Sequence, residues 1–221
     1  MYKKFVFLKL FTIGLALSAS FCAPVLAQPI SPHQSVNAQL LVAARQGDVQ
    51  GIQQSLERGA APNSRNRLGK TALFMAVEKN QPEIVNMMIA AGADVNLASL
   101  EKVTPLIAAA YAGNPDIVQV LLSKGAQLED TDRLRKSALV YAAGMGHNKV
   151  VEQLLNAGAK IDAAYTDGLT PLMWAAGQGH LDTVKLLVSK GADKTRKDDR
   201  GLSAADIAKA AGHNEVSELL Q

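Results

Sequence analysis

The sequence predicts an all-α solenoid, a stack of helix-turn-helix units joined by short extended turns. Two markers recur every 33 residues and support this fold. A Thr or Ser followed by an apolar run opens each unit, and a Gly-Ala pair follows each second helical segment. Self-similarity at a fixed period indicates a repeat architecture in which each unit contacts only its neighbours. The markers begin at Thr71, Thr104, Ser137, Thr170 and Ser203, and at Gly59, Gly92, Gly125, Gly158 and Gly191.

The pattern is most complete over residues 170–193, which read TPLMWAAGQGHLDTVKLLVSKGAD. This segment resembles an ankyrin repeat, and the resemblance covers roughly residues 36–221. The whole chain is similar to small exported ankyrin-repeat proteins of bacteria. The resemblance implies a curved solenoid that binds a protein partner through its turn tips and through a concave face made by the first helix of each unit.

The first 27 residues differ from the rest and predict a secretory signal peptide. Lys3, Lys4 and Lys9 give a positively charged start, an apolar run follows over residues 10–21, and small residues precede an expected cleavage site after Ala27. The run is shorter than the ~20 residues that a membrane-spanning helix needs. We therefore expect cleavage and export to the periplasm, or secretion, with an uncleaved membrane anchor as the alternative.

Cleavage would change the charge and the thiol content of the chain. The full chain has 23 basic and 20 acidic residues, and the three lysines near the start would leave with the signal peptide. The mature protein would then be neutral, which gives no electrostatic reason to expect nucleic-acid binding. Cys22, the one cysteine, would also leave, so we expect no disulfide and no thiolate metal ligand.

The remaining elements follow in order along the chain. Residues 28–35 predict a linker, because Pro and Gln interrupt any apolar period there. The unit that begins at Val36 has apolar residues at helical spacing but no Thr-Pro-Leu start, which predicts an N-terminal capping repeat. The final unit from Ser203 is polar, as a terminal cap must be. The expected ankyrin-repeat domain covers residues 36–221, with about six units and full repeats near 66–98, 99–131, 132–164 and 165–197.

Each full repeat has the same predicted scheme. The opening Thr or Ser can cap the first helix with its hydroxyl, and Pro105 and Pro171 suit the first helical position. Paired alanines follow, which let neighbouring helices approach closely. The second helix carries an apolar stripe and ends at a glycine that can adopt the left-handed conformation. The predicted stripes are Ile84, Val85, Met88 and Ile89; Ile117, Val118, Leu121 and Leu122; Val150, Val151, Leu154 and Leu155; and Val184, Leu186 and Leu187.

Two departures from the ankyrin pattern concern the turns. The turn glycine is replaced by Lys102 and Arg135 in the two middle repeats, which predicts either another geometry or a strained backbone at these positions. The family's turn histidine is missing as well, so we expect its supporting hydrogen bond to be absent in every repeat. Its slot holds Phe74, Ile107, Val140, Met173 and Asp206.

The residues that could perform chemistry all have structural interpretations. His147, His180 and His213 are one period apart, too far to share a metal ion, and match a helix-start position of the ankyrin pattern. The acidic clusters of the turns are expected to be solvated charges, because acid–base catalysis needs a pocket that excludes water. They comprise Glu129, Asp130, Asp132, Asp198 and Asp199. We find no catalytic motif, and expect no enzyme activity, no cofactor and no metal site.

A partner-binding surface can be assigned from the ankyrin scheme. The expected partner is a protein, with an acidic patch that would suit a basic rim of the surface. Tyr141 and Trp174 are one period apart and should stack in register, either within the core between repeats or at the interface. We expect a monomer without a membrane span once the signal peptide is removed. The assigned residues are Arg67, Lys70, Tyr111, Arg133, Arg135, Lys136, Tyr141, Met145, Trp174 and Gln178.

Two functional classes remain open from the sequence. The first is a non-catalytic, periplasmic protein-protein interaction module. The second is a dedicated partner of one secreted enzyme, such as an exported hydrolase or a catalase, acting as an inhibitor, a protective factor or a folding assistant. Binding of a small molecule or an envelope polymer is a weaker reading, because an open surface encloses less of a ligand than a pocket does.

Overall fold

The computed structural model describes residues 35–221, and the predicted signal peptide and nearly all of the predicted linker lie outside this range. The described part consists of helices paired by short loops. The bounds are α1 Val36–Gln46, α2 Val49–Glu57, α3 Ala72–Glu78, α4 Pro82–Ala90, α5 Pro105–Ala112, α6 Pro115–Ser123, α7 Ala138–Gly144, α8 Asn148–Asn156, α9 Pro171–Gln178, α10 Leu181–Ser189, α11 Ala204–Ala211 and α12 Asn214–Leu220.

The helix pairs stack into two layers. Each first helix packs on the first helix of the next unit, from α1 through α3, α5, α7 and α9 to α11, and the second helices from α4 to α12 pack in the same way. The predicted all-α repeat solenoid is therefore confirmed for residues 35–221. Among these residues, no helix is both long and apolar enough to span a bilayer.

The first helices begin at the predicted caps, with one exception. The hydroxyl of Thr71 accepts a hydrogen bond from the amide of Phe74, and the equivalent bonds occur at Thr104, Thr170 and Ser203. Such bonds pair amides that the first turn of a helix leaves without partners. Ser137 occupies the cap position of α7, but its side chain makes no capping bond.

The core is formed by apolar residues of both helices of each unit, including large side chains of the first helices such as Leu73, Leu106 and Leu139. Both alanines of each central pair are fully buried, as are Leu121, Leu154 and Leu187 in successive second helices. The outer stripe members Ile89, Leu122, Leu155 and Leu186 are half-buried and pack against this core. The predicted apolar stripe is thus correct, with its centre on the Leu121, Leu154 and Leu187 row.

The turns between units share one main-chain hydrogen-bond pattern, with a positive φ at the glycine position whether or not glycine is present. The turn at Thr166–Gly168 differs, because Asp167 also has a positive φ of 63°. Lys102 and Arg135 have φ values of 59° and 60°, close to the 73° of Gly69 in the equivalent position. Of the two outcomes expected from the sequence, the strained backbone is the correct one. In each turn the first residue donates its amide to the carbonyl four positions later, as from Asp132 to Lys136.

In three turns, the side chain at the first position supplies the support that the missing histidine would give. Asp132 Oδ1 accepts hydrogen bonds from the amides of Leu134 and Lys136, both at 2.9 Å, and Asn66 and Asp198 do the same in their turns. Burial disfavours the ionised form of Asp198, yet these amides and Arg200 hold its pKa below the usual value.

Two expectations about these turns are wrong. Asp132 and Asp198 are 6% and 5% exposed, so these two are buried hydrogen-bond acceptors rather than solvated turn charges, whereas Glu129 and Asp199 are exposed as expected. The slot of the missing histidine also supplies support in two repeats. Asp206 accepts from the amide and the hydroxyl of Ser203, and Met173 Sδ lies 3.4 Å from the amide of Thr170.

A ladder of hydrogen bonds joins consecutive units at the loops after the second helices. In each step, a side-chain oxygen of one unit accepts from a main-chain amide of the next. Together with the apolar contacts and the other hydrogen bonds between adjacent units, such as that from the Thr166 hydroxyl to the carbonyl of Leu134, these directional bonds help to fix how each unit is placed on its neighbour. The acceptors Asn63, Asn96, Glu129 and Asp162 bind the amides of Asp94, Gln127, Lys160 and Asp193 at 2.9, 2.9, 3.1 and 3.1 Å.

Candidate functional site

Four aromatic side chains lie close together on the first helices and turns of the central repeats, and we call them the aromatic cluster. The rings of Tyr111 and Tyr141 meet edge to face with centroids 5.7 Å apart, and those of Tyr165 and Trp174 meet in the same way at 5.7 Å. Edge-to-face pairs place the positive edge of one ring on the negative face of the other. Tyr165 is buried, whereas Tyr111, Tyr141 and Trp174 are half-buried.

Trp174 owes its position to a glycine in the preceding unit. A Cβ atom added to Gly144 would lie 1.7 Å from Cδ1 of Trp174, so the indole occupies the space above α7. Gly144 takes the slot that Tyr111 fills one unit earlier. The small residue therefore lets the tryptophan lie across the neighbouring first helix, whereas Tyr111 meets Tyr141 by ring contact.

The ammonium group of Lys136 lies among these rings. Its Nζ is 4.4 Å from the centroid of Trp174, 5.4 Å from that of Tyr141 and 6.0 Å from that of Tyr165. Burial lowers the pKa of Lys136, and the charge of Asp132 acts in the opposite direction. The negative faces of aromatic rings attract a cation, so the cluster stabilises a charge that is partly removed from water.

The hydroxyl groups of the cluster differ in their partners. Tyr141 donates its hydroxyl to Asp132 Oδ2 at 2.5 Å. Burial, the hydrogen bond to Asp132 and the charge of Asp132 all raise the pKa of Tyr141. The pKa of Tyr165 is raised as well, chiefly by burial, and within the described residues its hydroxyl has no hydrogen-bond partner. Both phenols stay protonated near neutral pH.

The basic residues assigned to the rim have varied surroundings. Lys70 pairs with Glu78 at 2.7 Å and lies 5.2 Å from the centroid of Phe74. Arg133 is exposed, with Nε 3.5 Å from Glu101 and 3.1 Å from the carbonyl oxygen of Leu100. Arg67 and Arg135 are exposed at their turns. These basic residues thus lie in the turns between units, and some of their charges are already paired with carboxylates of the chain.

The structure places the remaining assigned residues on first helices or at their ends. Met145 is 39% exposed at the end of α7, and Gln178 is half-buried at the end of α9. Tyr141 and Trp174 lie on the successive first helices α7 and α9, with Lys136 Nζ over both rings. Sequence reasoning did not assign Tyr165 or Asp132 to this site.

The histidines have the structural role that the sequence indicated. The Nε2 atom of His147 donates to the carbonyl of Tyr111 at 3.0 Å, and that of His180 donates to the carbonyl of Gly144 at 3.0 Å. Each imidazole therefore ties the start of a second helix to the end of the first helix one unit earlier. Across residues 35–221, no three His, Cys, Asp or Glu side chains group closely enough to hold a metal ion.

Comparison with known proteins agrees with the repeat architecture. The family model described as ankyrin repeats (3 copies) matches residues 40–132 and 129–198, which together cover most of the chain. No curated protein matches the chain.

Proposed function

Because the chain belongs to the ankyrin-repeat family, we propose that it is an exported, non-catalytic protein-protein interaction module that binds its partner through the aromatic cluster and the adjoining turns. Ankyrin repeats indicate protein binding, and the family is generally non-catalytic.

The observation that carries the surface assignment is an aromatic face made by the uncharged first helices of three consecutive units. The helices α5, α7 and α9 contain no Asp, Glu, Lys or Arg, and they present half-buried Tyr111, Tyr141 and Trp174 beside exposed Met145. Tyrosine, tryptophan and methionine are enriched at protein interfaces, where charged residues are depleted from the centre. Arg133 and Arg135 on the neighbouring turn supply a polar border.

We expect Trp174→Ala and Tyr111→Ala each to weaken partner binding by about 2 kcal/mol or more, which is about 30-fold in Kd, because large aromatic side chains dominate interface energies. The partner is first captured from envelope extract with the tagged full chain and identified by mass spectrometry. Its Kd for each variant is then measured by titration, with folding checked by circular dichroism.

Matched control substitutions lie on the second-helix side of the same units. Lys149→Ala in α8 and Lys185→Ala in α10 change exposed residues that are away from the aromatic cluster. These variants should bind the partner within about twofold of the native chain, since surface changes outside an interface have small effects. Equal losses on both sides would show that the surface has been assigned to the wrong face.

Export rests on the charged start, the apolar run and the small residues before Gln28. We expect protein purified from the envelope to have the intact mass of a chain that begins at Gln28, because a signal peptidase removes the preceding segment. The control is Leu15→Arg, which places a charge in the apolar run and should leave the chain uncleaved and inside the cell. A native protein whose mass retains residues 1–27 would contradict cleavage.

A further inference from the structure

The repeat provides an internal comparison between two lysines. Lys70 and Lys136 occupy the same slot two units apart, at the end of a turn and beside an aromatic ring of the following first helix. The Nζ atom of Lys70 lies 2.7 and 2.8 Å from the two carboxylate oxygens of Glu78, while it also lies over Phe74. The ammonium of Lys70 therefore contacts both an aromatic ring and a carboxylate of the same chain.

Lys136 has the rings but lacks the carboxylate. The residue in the slot of Glu78 is Gly144, and the indole of Trp174 covers it. Asp132 is the nearby acid, but it already accepts from the amides of Leu134 and Lys136 and from the hydroxyl of Tyr141. Within residues 35–221, no group accepts a hydrogen bond from Lys136 Nζ, and no carboxylate pairs with it.

The charge distribution around Lys136 favours an anion. Since α5, α7 and α9 carry no charged side chain, the charges beside the aromatic cluster come from the turn: the half-buried ammonium of Lys136 and the buried carboxylate of Asp132, which already accepts three hydrogen bonds. Arg133 and Arg135 on the same turn add positive charge. A half-buried ammonium interacts more strongly with a carboxylate than an exposed one does, because water screens the pair less.

We propose that the protein partner supplies in trans the carboxylate that Lys136 lacks: an Asp or Glu side chain of the partner binds the Lys136 ammonium, and apolar residues flanking it pack on Trp174 and Tyr141. This inference rests on the proposed function and deepens it. The sequence placed Lys136 at the rim of the interface and predicted an acidic patch on the partner. Here Lys136 lies at the centre of the interface, and the partner contributes one acidic residue flanked by apolar residues.

The test uses the full chain and a displayed library of random 12-residue peptides, fused through their C-termini so that Asp and Glu side chains are their sole carboxylates. Selection on the native chain should enrich an acidic residue at one fixed position beside apolar residues. Synthetic, C-terminally amidated versions are then titrated by fluorescence anisotropy. Lys136→Met should weaken their binding at least about tenfold, and the acid-to-amide change in the peptide should have the same effect.

Three further arms separate a binding role from a structural one. The two changes combined should weaken binding no more than either alone, because both remove the same contact. Lys136→Arg should retain the preference for the acidic peptide over its amide version. Lys149→Met is the control, since that lysine is exposed on the second-helix side of the same unit and away from the aromatic cluster, and it should change the Kd less than about twofold.

Each other outcome overturns the inference. It fails if the library yields no binder, if the binders share no acidic position, or if Lys136→Met binds them as tightly as the native chain does. Variants of the aromatic cluster tell the two proposals apart. If Trp174→Ala weakens the binders but Lys136→Met does not, the carboxylate contact alone is wrong. If neither weakens them, the proposed binding surface is wrong as well.

Discussion

Replacing Leu154 by alanine is expected to lower the free energy of unfolding by about 2–5 kcal/mol, the range for truncating a buried leucine and leaving a cavity. Leu154 is 0% exposed, and it lies in the row that Leu121 and Leu187 continue in the neighbouring units. The loss should be large because Leu154 belongs to the buried hydrophobic cluster, and its helix α8 packs on α7 of the same unit and on the second helices α6 and α10 on both sides. Chemical denaturation followed by circular dichroism measures it.

Leu134→Ala is the matched control for this substitution. The side chain of Leu134 is 47% exposed at a turn, so its truncation should cost less than about 0.5 kcal/mol. If Leu154→Ala were as mild as Leu134→Ala, the second-helix row would not be the core of the array.

Replacing Asp132 by alanine should lower the free energy of unfolding by about 2–4 kcal/mol. The change leaves the amides of Leu134 and Lys136 and the hydroxyl of Tyr141 without their acceptor, and each buried donor that loses its partner costs about 1–3 kcal/mol. Water can reach part of the turn and limits the total. Thermal and denaturant unfolding of the variant measure the loss.

Asp132→Asn distinguishes the effect of losing the hydrogen bonds from the effect of losing side-chain volume, because asparagine keeps the volume and one acceptor oxygen. Asn66 supports its own turn by accepting from the amides of Leu68 and Lys70, so an asparagine fits this slot. The substitution should cost about 1 kcal/mol, mainly through the contact with Tyr141. Should the alanine and asparagine variants lose equal stability, the turn would not depend on an acceptor at this position.

The fold could be predicted because its determinants are local and repeated. A hydroxyl residue before each first helix, a glycine after each second helix and an apolar stripe between them recur with one period. The solenoid therefore follows from the pattern of a single unit. The backbone conformation at Lys102 and Arg135 could not be predicted uniquely. The sequence allowed either another turn geometry or a strained positive φ, because it does not show how strongly the neighbouring turns fix the backbone.

The binding surface could be located only in outline. The period places Tyr141 and Trp174 in equivalent slots, but it does not show that an indole crosses to the preceding unit, where Gly144 makes room for it. The burial of Asp132 was missed for a related reason: acidic residues in turns are usually solvated, and only the folded turn shows its amides converging on one oxygen. For the position of Trp174, the sequence offered one signal: glycine at position 144 stands where the preceding unit has Tyr111.

The ladder between units has a consequence for how such an array can change in length. Each step joins a side-chain oxygen, as on Asn96, to a main-chain amide, as at Gln127. The donor is therefore independent of the side chain at its position, and the acceptor alone must be an Asn, Asp, Glu or similar residue. A unit that carries its own acceptor can be duplicated, deleted or exchanged, and the new junction still forms the bond with whatever residue follows. The array is modular at the level of its hydrogen bonds.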